Sequence, residues 1–324
     1  PIVFADTHPN PVEDDCINGA KAYRENNCDS IIALGGGSPM DAAKGIMVLA
    51  THDGPLDIYD DTKGGDKFIT NPLPPLIAIP TTAGTGSEVG RSGVIIVNKT
   101  HNKTIIFHPS MLPKIAILEP SLTKDLPAHI TAATGLDAFT HCLEAYFAKG
   151  FHPMADGIAL EGISLVMENL KIVYKEPHNL EARSKMLLAA SMGATAFQKG
   201  LGMIHSIAHP LSSECGLHHG LANALVLPDC IDFLENSSLN DDQQSRIDTV
   251  KKLLSKFGFK NDSLAHACRD FFKTFDIKFG LKNHGVSEDQ IEILSTKAFD
   301  DVCHQSNMIS VNVDDFKSVI TKAM

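Results

Sequence analysis

The stretch GMIHSIAHPLSSECGLHHGLANALVLP, residues 202–228, holds four of the fifteen histidines of the chain. His205 and His209 are four residues apart, so one turn of α-helix places them on the same face, and Pro210 then loosens the helix. His219 follows ten residues later. Because imidazoles among apolar neighbours are costly to bury without a partner, this spacing favours a divalent metal ion. The stretch therefore predicts half of a metal site.

The second half is expected in GLDAFTHCLEAY, residues 135–146. Asp137 and His141 are four residues apart on a predicted helix and so share one face. With His205 and His219 they supply one carboxylate and three imidazoles, a ligand set that suits Fe²⁺ or Zn²⁺. The competing interpretation is that the first two residues are an ordinary pair on a helix surface, and spacing alone leaves the two interpretations about equal.

Composition restricts the class of protein. A chain of 324 residues suggests two domains, and 43% hydrophobic with 21% charged residues is typical of folded globular protein. The net charge of −11 argues against nucleic acid or an anionic membrane as the main partner. It still allows a nucleotide cofactor, which needs only a local anion site. No apolar run approaches the roughly 20 residues of a membrane span.

The cysteines and the N-terminus bear on location. Seven cysteines are scattered, odd in number and without a C-x-x-C pair, which favours a reducing cytoplasm over a disulfide framework. No signal peptide is recognised. The sequence starts at Pro1 inside a strand-like run, which suggests that a longer protein has been cut at its N-terminus.

The residue pattern changes near residue 125. Residues 1–125 alternate strand and helix patterns, which predicts an α/β domain with a parallel sheet covered by helices. Residues 126–324 carry apolar residues at helical spacing, which predicts an all-helical domain. The first part has predicted strands at residues 1–4, 30–34, 76–79, 94–97, 103–107 and 115–118, helices at 11–26 and 39–50, and a solvated acidic loop at 57–66. The clearest predicted helices of the second part are residues 128–148, 153–174, 180–199, 241–257 and 288–303.

Two glycine-rich loops follow predicted strands of the first domain. The sequence GGGS, residues 35–38, lies between a strand and a helix, where free N–H groups and the helix dipole favour a phosphate. It is neither G-x-G-x-x-G nor a Walker A loop, and alone it is as often structural as functional. TTAGTGSE, residues 81–88, also follows a strand. Because carboxyl ends of parallel strands meet at one sheet edge, the pair predicts a dinucleotide site.

Five motifs together resemble one known family. They are GGGSPMDAAK at residues 35–44, PTTAGTGSE at 80–88, ATGLDAFTHCLEAY at 133–146, GMIHSIAHPL at 202–211 and HGLANA at 219–224. In this order, over essentially the whole chain, they closely resemble the iron-containing (group III) alcohol dehydrogenases, which include lactaldehyde reductase and 1,3-propanediol dehydrogenase. The resemblance implies hydride transfer between a small primary alcohol or diol and NAD or NADP, and reduction of the corresponding aldehyde.

The resemblance also assigns roles to residues. It implies that Fe²⁺, or alternatively Zn²⁺, is held by Asp137, His141, His205 and His219. The next histidine, His209, is the implied catalytic residue beside the metal, and we expect a proton-relay role for it because imidazole titrates near neutral pH. The implied cofactor contacts are Gly36, Gly37, Ser38, Asp41, Thr81, Thr82 and Lys103. A homo-oligomer, dimer or higher, is also implied.

Some features depart from the family or stay open. The family's first strand and helix are missing before Pro1, and Ala5 stands where an acid is frequent. Glu144 could support the metal ligands, but it is rather expected to pack or cap within its own helix, and His218 is expected not to be a ligand. A non-redox metal enzyme of the same two-domain plan, similar to dehydroquinate synthase, is one alternative. An inactive metal-binding fragment of a larger aldehyde–alcohol dehydrogenase is the other.

Overall fold

The chain divides into two units, residues 1–123 and 124–324, in a computed structural model that describes residues 1–101 and 103–324. The first unit combines strands and helices, and every regular element described in the second is a helix. The fold is therefore an α/β unit followed by a helical unit, as the sequence pattern predicts. Among the described residues, no helix is long and apolar enough to cross a bilayer.

Over its described residues, 1–101 and 103–123, the first unit has five strands and two α-helices. They are α1 (Glu13–Glu25), β1 (Ile31–Gly35), α2 (Gly37–Thr51), β2 (Leu76–Pro80), β3 (Ser92–Ile96), β4 (Lys103–Phe107) and β5 (Ile115–Ala116). Strands β1, β2 and β5 form a parallel sheet in the order β1-β2-β5, with Gly35 opposite Pro80. Both strands consequently end at the same edge of the sheet.

The prediction of a single parallel sheet is wrong for β3 and β4. These strands pair antiparallel, with Ser92 opposite Phe107, in a separate two-stranded sheet. Only residues 97–102 connect them, and a parallel crossover needs about a dozen residues or more. The predicted strand at residues 1–4 is also absent from the described structure.

Helix α2 is buried on several sides. Met40, Ala43 and Met47 pack with β1 and β2, whereas Ile46 and Val48 belong to the cluster that contains residues of β3 and β4. Apolar neighbours on two sides explain its largely apolar sequence, and its two charged residues, Asp41 and Lys44, hydrogen-bond to groups near β3 instead.

Two local expectations of the first unit are wrong. The parallel sheet, predicted to be covered by helices, leaves part of β1 uncovered, since the side chains of Ile32 and Leu34 are exposed. The acidic loop predicted as solvated forms three short 3₁₀ turns, and Asp57 and Asp60 are buried in it. Asp57 pairs with Lys99 at 2.7 Å and Asp60 pairs with a lysine of its own turn at 2.6 Å, so each buried carboxylate has a cationic partner.

The second unit is built around α3. Its helices are α3 (Ala128–Phe147), α4 (Pro153–Lys175), α5 (Leu180–Ala196), α6 (Met203–Cys215), α7 (His219–Glu235), α8 (Asp241–Lys256), α9 (Leu264–Lys273), α10 (Ile291–Asp300) and α11 (Val313–Ala323). Helix α3 is buried from Thr131 to Phe147 because α4, α5 and α7 pack on it. Helix α6 continues through Pro210 to Cys215.

Candidate metal and cofactor sites

Helix α3 supplies two of the four predicted metal ligands. Asp137 and His141 lie one turn apart, and only 3% and 4% of their surfaces are exposed. Burial of a carboxylate and an imidazole on one helix face requires compensating partners. The surface-pair interpretation of these two residues is therefore wrong.

Helices α6 and α7 bring the other two ligands to α3. His205 is the third residue of α6 and is 1% exposed, whereas His219 begins α7 and is half-buried. The neighbour of His219 is Gly220, where an added Cβ would lie 2.1 Å from the carbonyl oxygen of Ala133. Glycine is required at this position because the backbones of α7 and α3 are in contact.

The four predicted ligands form one cluster. The Oδ1 atom of Asp137 lies 3.9 Å from Nε2 of His141, 3.8 Å from Nε2 of His205 and 3.6 Å from Nε2 of His219. One potential ligand atom from each residue lies within 4.8 Å of the other three. In a tetrahedral site with bonds near 2.1 Å, ligand atoms are about 3.4 Å apart, so the cluster is of the right size for a divalent ion.

The electrostatics of the cluster are those of ligands facing a cation. Burial alone would raise the pKa of Asp137, but the surrounding imidazoles hold it well below its ordinary value. Burial disfavours a charged His205, yet hydrogen bonds to Asp137 and Glu144 raise the pKa of this histidine to about 9. The protein environment thus stabilises positive charge beside Asp137, which is what a bound divalent cation requires.

Asn223 shows that the ligand lone pairs converge. Its buried Nδ2 donates to Oδ1 of Asp137 at 2.8 Å and lies 3.2 Å from Nε2 of His205 and 3.4 Å from Nε2 of His219. Its Oδ1 atom has no hydrogen-bond partner among the described residues. Three proposed ligand atoms therefore lie around one electropositive group, Nδ2 of Asn223. An arrangement of this kind also fits a divalent metal ion.

His209 lies beside this cluster and has a different partner. Its Nδ1 atom is 2.7 Å from Oδ2 of Asp301, the residue directly after α10. Its ring stacks on the ring of His219 with centroids 5.3 Å apart, and its centroid is 6.0 Å from that of His205. The side chain is about a quarter exposed. It is therefore held next to the ligands and remains accessible.

Three polar residues of this region have contacts that sequence reasoning did not predict. Glu144 caps α6 rather than its own helix, so the expectation for it is wrong: its Oε1 accepts the N–H of Ile204 at 2.7 Å. Its position seven residues after Asp137 on α3 was a signal that it shares their face. Asn223, four residues after His219, carried the same signal. Asp301 had none, because only the tertiary fold brings it to His209.

In the first unit, the two glycine-rich loops touch. The N–H of Thr81 donates to the carbonyl of Gly35 at 2.9 Å. A Cβ on Gly36 would lie 3.3 Å from Oγ1 of Thr82, and a Cβ on Gly37 would lie 2.7 Å from Oγ1 of Thr85. The structure thus brings the predicted cofactor residues Gly36 and Gly37 of the first loop next to the second loop, at the sheet edge where β1 and β2 end.

The other predicted cofactor residues have partners within the unit. Asp41 accepts the Ser87 hydroxyl at 2.8 Å and the Val94 N–H at 3.1 Å, while the hydroxyl of Ser38 donates to the carbonyl of Pro9. Burial lowers the pKa of Lys103, although the charge of Asp41 opposes that shift. Asp41 therefore ties the second loop and β3 to α2.

Lys44 is a buried cation that sequence reasoning did not single out. Its side chain is fully buried, and Nζ donates to the carbonyl of Ser87, to the Ser87 hydroxyl and to the carbonyl of Ser92, each at 2.8 Å. It thus fastens the end of the second glycine-rich loop to α2.

Fold and sites together define a class. Two touching glycine-rich loops at one sheet edge suit a dinucleotide, and a buried carboxylate–imidazole cluster suits a divalent cation, as in metal-dependent dehydrogenases. Comparison with known proteins specifies the family. Residues 1–120 match the profile "Iron-containing alcohol dehydrogenase", and residues 131–324 match "Fe-containing alcohol dehydrogenase family, C-terminal". The chain belongs to the iron-containing alcohol dehydrogenase family.

Individual relatives agree with this assignment. The chain is 39% identical over 330 residues to a 4-hydroxybutyrate dehydrogenase of Cupriavidus necator, covering 99% of this chain and 85% of the relative. It is 33% identical to an NAD-dependent methanol dehydrogenase of Bacillus methanolicus, with 99% and 84% covered. A crystal structure of 1,3-propanediol oxidoreductase superimposes with a TM-score of 0.90 at 32% identity, covering 100% of this chain and 84% of that one. The chain is an oxidoreductase of the alcohol dehydrogenase and aldehyde reductase type.

Proposed function

We propose that this protein interconverts small primary alcohols or diols and their aldehydes, with a divalent metal held by Asp137, His141, His205 and His219. The observation that carries the proposal is the convergence of these four side chains on one buried point. A divalent ion supplies Lewis acidity, which lowers the pKa of an alcohol or polarises an aldehyde carbonyl. Three imidazoles and one carboxylate accept either iron or zinc, and membership of the family favours Fe²⁺.

His209 is proposed as the proton-handling residue on the substrate side. Alcohol oxidation releases a proton from the hydroxyl group, and aldehyde reduction takes one up. With Nδ1 directed to Asp301 at 2.7 Å, Nε2 is the ring nitrogen left to exchange that proton. Asp301 accepts the Ser206 hydroxyl and the backbone N–H of Cys303, both at 2.9 Å, so its carboxylate is fixed. This arrangement supports a relay held in one orientation.

The dinucleotide is proposed to bind the touching loops of the first unit. Gly36 and Gly37 allow close approach of the pyrophosphate to the backbone, at the N-terminus of α2. Thr81, Thr82 and Lys103 are proposed to contact the cofactor, while Ser38 and Asp41 shape the loops. Similarity to the NAD-dependent methanol dehydrogenase of Bacillus methanolicus favours NAD over NADP. Hydride transfer itself is the chemistry of the nicotinamide.

Assembly as a homo-oligomer and a cytoplasmic location are also proposed. The resemblance to the family supports a homo-oligomer, dimer or higher, which size-exclusion chromatography with light scattering tests. All seven cysteines are free in the structure, which supports a reducing compartment such as the cytoplasm. Fluorescence microscopy of a tagged full-length protein tests that location.

The decisive experiment combines metal analysis with a substrate panel. The purified protein is loaded with Fe²⁺ or Zn²⁺, its metal content is measured, and absorbance at 340 nm is followed with primary alcohols, diols and aldehydes using both cofactors. We expect about one metal per chain and NAD-linked turnover. His141→Ala should lose metal and activity together, whereas His266→Ala, which changes an exposed histidine of α9, should keep both.

The alternatives give different results in this assay. A non-redox lyase would bind metal and nucleotide without a sustained change at 340 nm. An inactive fragment would bind metal without binding NADH, which fluorescence titration detects. Either result would overturn the proposed function.

A further inference from the structure

Glu144 of α3 contacts both the ring of His205 and the N-terminus of α6. Its carboxylate is buried, with 3% of the residue exposed, on the same face of α3 as Asp137 and His141. Its Oε2 atom lies 2.5 Å from Nδ1 of His205, and Oε1 accepts the N–H of Ile204 at 2.7 Å. One carboxylate therefore contacts both a proposed ligand and the helix that carries it.

The N-terminus of α6 is built to receive this carboxylate. Gly202, the residue before the helix, has no side chain to cap it, and an added Cβ would lie 2.8 Å from Oε1 of Glu144. The first N–H groups of α6 are instead satisfied from distant segments: Asn307 accepts from Met203 at 3.3 Å, and Glu144 accepts from Ile204 at 2.7 Å and from His205 at 3.4 Å. A buried anion at this position is stabilised by the helix dipole.

The same carboxylate determines what His205 presents to the cluster. A carboxylate only accepts hydrogen bonds, so the proton of the neutral imidazole resides on Nδ1 and the lone pair on Nε2. Nε2 is the nitrogen 3.8 Å from Oδ1 of Asp137. When a divalent cation binds, the imidazoles serve as neutral ligands, and the two buried carboxylates, Asp137 and Glu144, balance the charge of the cation.

We propose that Glu144 is a positioning residue that tunes metal affinity by fixing the tautomer and orientation of His205. The proposal rests on the proposed metal site and adds a residue that touches neither metal nor substrate. Carboxylate–histidine–metal arrangements of this kind typically change metal affinity by about 10- to 100-fold when the carboxylate is altered. Helix capping is a distinct role, and the experiment must separate the two.

The test measures metal binding without turnover. Apoprotein is prepared with a chelator and titrated with Co²⁺, whose absorption reports ligand geometry. Glu144→Gln keeps an oxygen for the Ile204 N–H but turns an NH₂ donor towards Nδ1, which favours the opposite tautomer. We expect folded Glu144→Gln protein with Co²⁺ affinity reduced about 10- to 100-fold. Asn307→Ala removes the other cap without touching His205, and we expect its affinity to stay within about threefold of the unmodified protein.

The outcomes decide the proposal. Glu144→Gln protein that folds and binds Co²⁺ within threefold of the unmodified protein overturns it, and so does an equal loss in Asn307→Ala, because capping alone would then be responsible. If Glu144→Gln does not fold, Gly202→Ala is compared with Asn307→Ala, since its Cβ would lie 2.7 Å from Oδ1 of Asn307 and 2.8 Å from Oε1 of Glu144 and so displaces both caps while keeping the charge. A Co²⁺ affinity of Gly202→Ala no lower than that of Asn307→Ala overturns the proposal. Absence of alcohol oxidation with metal bound contradicts the proposed function and leaves this inference standing.

Discussion

Asp301 holds Nδ1 of His209 at 2.7 Å across 92 residues of sequence. His209 and His205 lie on the same helix, and each has a carboxylate at Nδ1, yet only His205 belongs to the four-ligand cluster. The two pairs thus hold one histidine of α6 within the four-residue cluster and keep the next one beside it.

Replacing His209 should separate catalysis from metal binding. We expect His209→Gln to reduce kcat by about 10²-fold or more, since proton transfer by a positioned side chain contributes at this level. Metal content should remain stoichiometric. His218→Gln changes an exposed histidine in the same segment and should keep full activity. Loss of metal from His209→Gln would instead make His209 a ligand.

Asp301→Asn tests whether the carboxylate of Asp301 orients the ring of His209. The amide no longer provides a charged acceptor for Nδ1, so the ring loses its fixed orientation while its chemistry is kept. We expect a smaller fall in kcat than in His209→Gln, and little further effect when both changes are combined. Additive effects in the double variant, measured as kcat with metal content controlled, would show that the two residues act independently.

Gly220 should be intolerant of alanine because α7 and α3 touch there. A Cβ would lie 2.1 Å from the carbonyl oxygen of Ala133 and 3.1 Å from Cβ of Asp137. We expect Gly220→Ala to move His219 away from the cluster and to lower stability by about 1–3 kcal/mol, as overpacking does. Metal analysis and thermal unfolding measure the two effects.

Gly157 provides the matched control. It is exposed in α4, and an added Cβ meets no atom within 4 Å. Gly157→Ala should therefore stabilise the helix by about 0.5–1 kcal/mol without changing metal content. Equal behaviour of the two alanine variants would contradict the close approach of α7 to α3.

Contact between the glycine-rich loops should control cofactor affinity. A Cβ on Gly37 would lie 2.7 Å from Oγ1 of Thr85, so Gly37→Ala should push the second loop away from α2. We expect NADH binding, measured by fluorescence, to weaken about tenfold, which corresponds to 1.4 kcal/mol. Adding Thr85→Ala removes the clashing hydroxyl and should restore part of the affinity. A double variant no better than Gly37→Ala would argue against this contact.

The buried position of Lys44 predicts that its contribution to the free energy of unfolding increases at alkaline pH. Burial lowers the pKa of Lys44 from 10.5 to about 8, against the attraction of Asp41 and Glu88. Between these two values the unfolded chain binds more protons than the folded one, so the free energy of unfolding increases with pH. This contribution amounts to about 2 kcal/mol between pH 7.5 and pH 10.

Lys44→Met isolates that contribution, since other titrating groups are common to both proteins. Urea unfolding at pH 7.5 and pH 10 should show that the free energy of unfolding rises more in the unmodified protein than in the variant. Parallel pH dependences of the two proteins would contradict a depressed pKa for Lys44. Lys44→Met should also weaken NADH binding, because Nζ holds the carbonyl of Ser87 at the end of the second loop.

Sequence periodicity determined which residues share a helix face. Asp137 and His141 follow from their four-residue spacing, and the glycine-rich loops follow from their place after apolar strands. Each of these relationships is local, because the backbone repeat alone fixes which side chains lie together within one element. The family's motifs added the choice of His219 over His218.

Only the tertiary structure decided how these elements meet. That Glu144 caps α6, that Asp301 holds His209, and that Asn223 donates into the cluster depend on contacts between segments 18 to 92 residues apart. The antiparallel pairing of β3 and β4 and the burial of Asp57 are further cases. Spacing within one element does not show which distant segment of the chain will pack against that element. A charged side chain that becomes buried is stable only when such a segment provides a partner for it. The sequence thus predicted the four proposed ligands, and packing decided which carboxylates lie against His205 and His209.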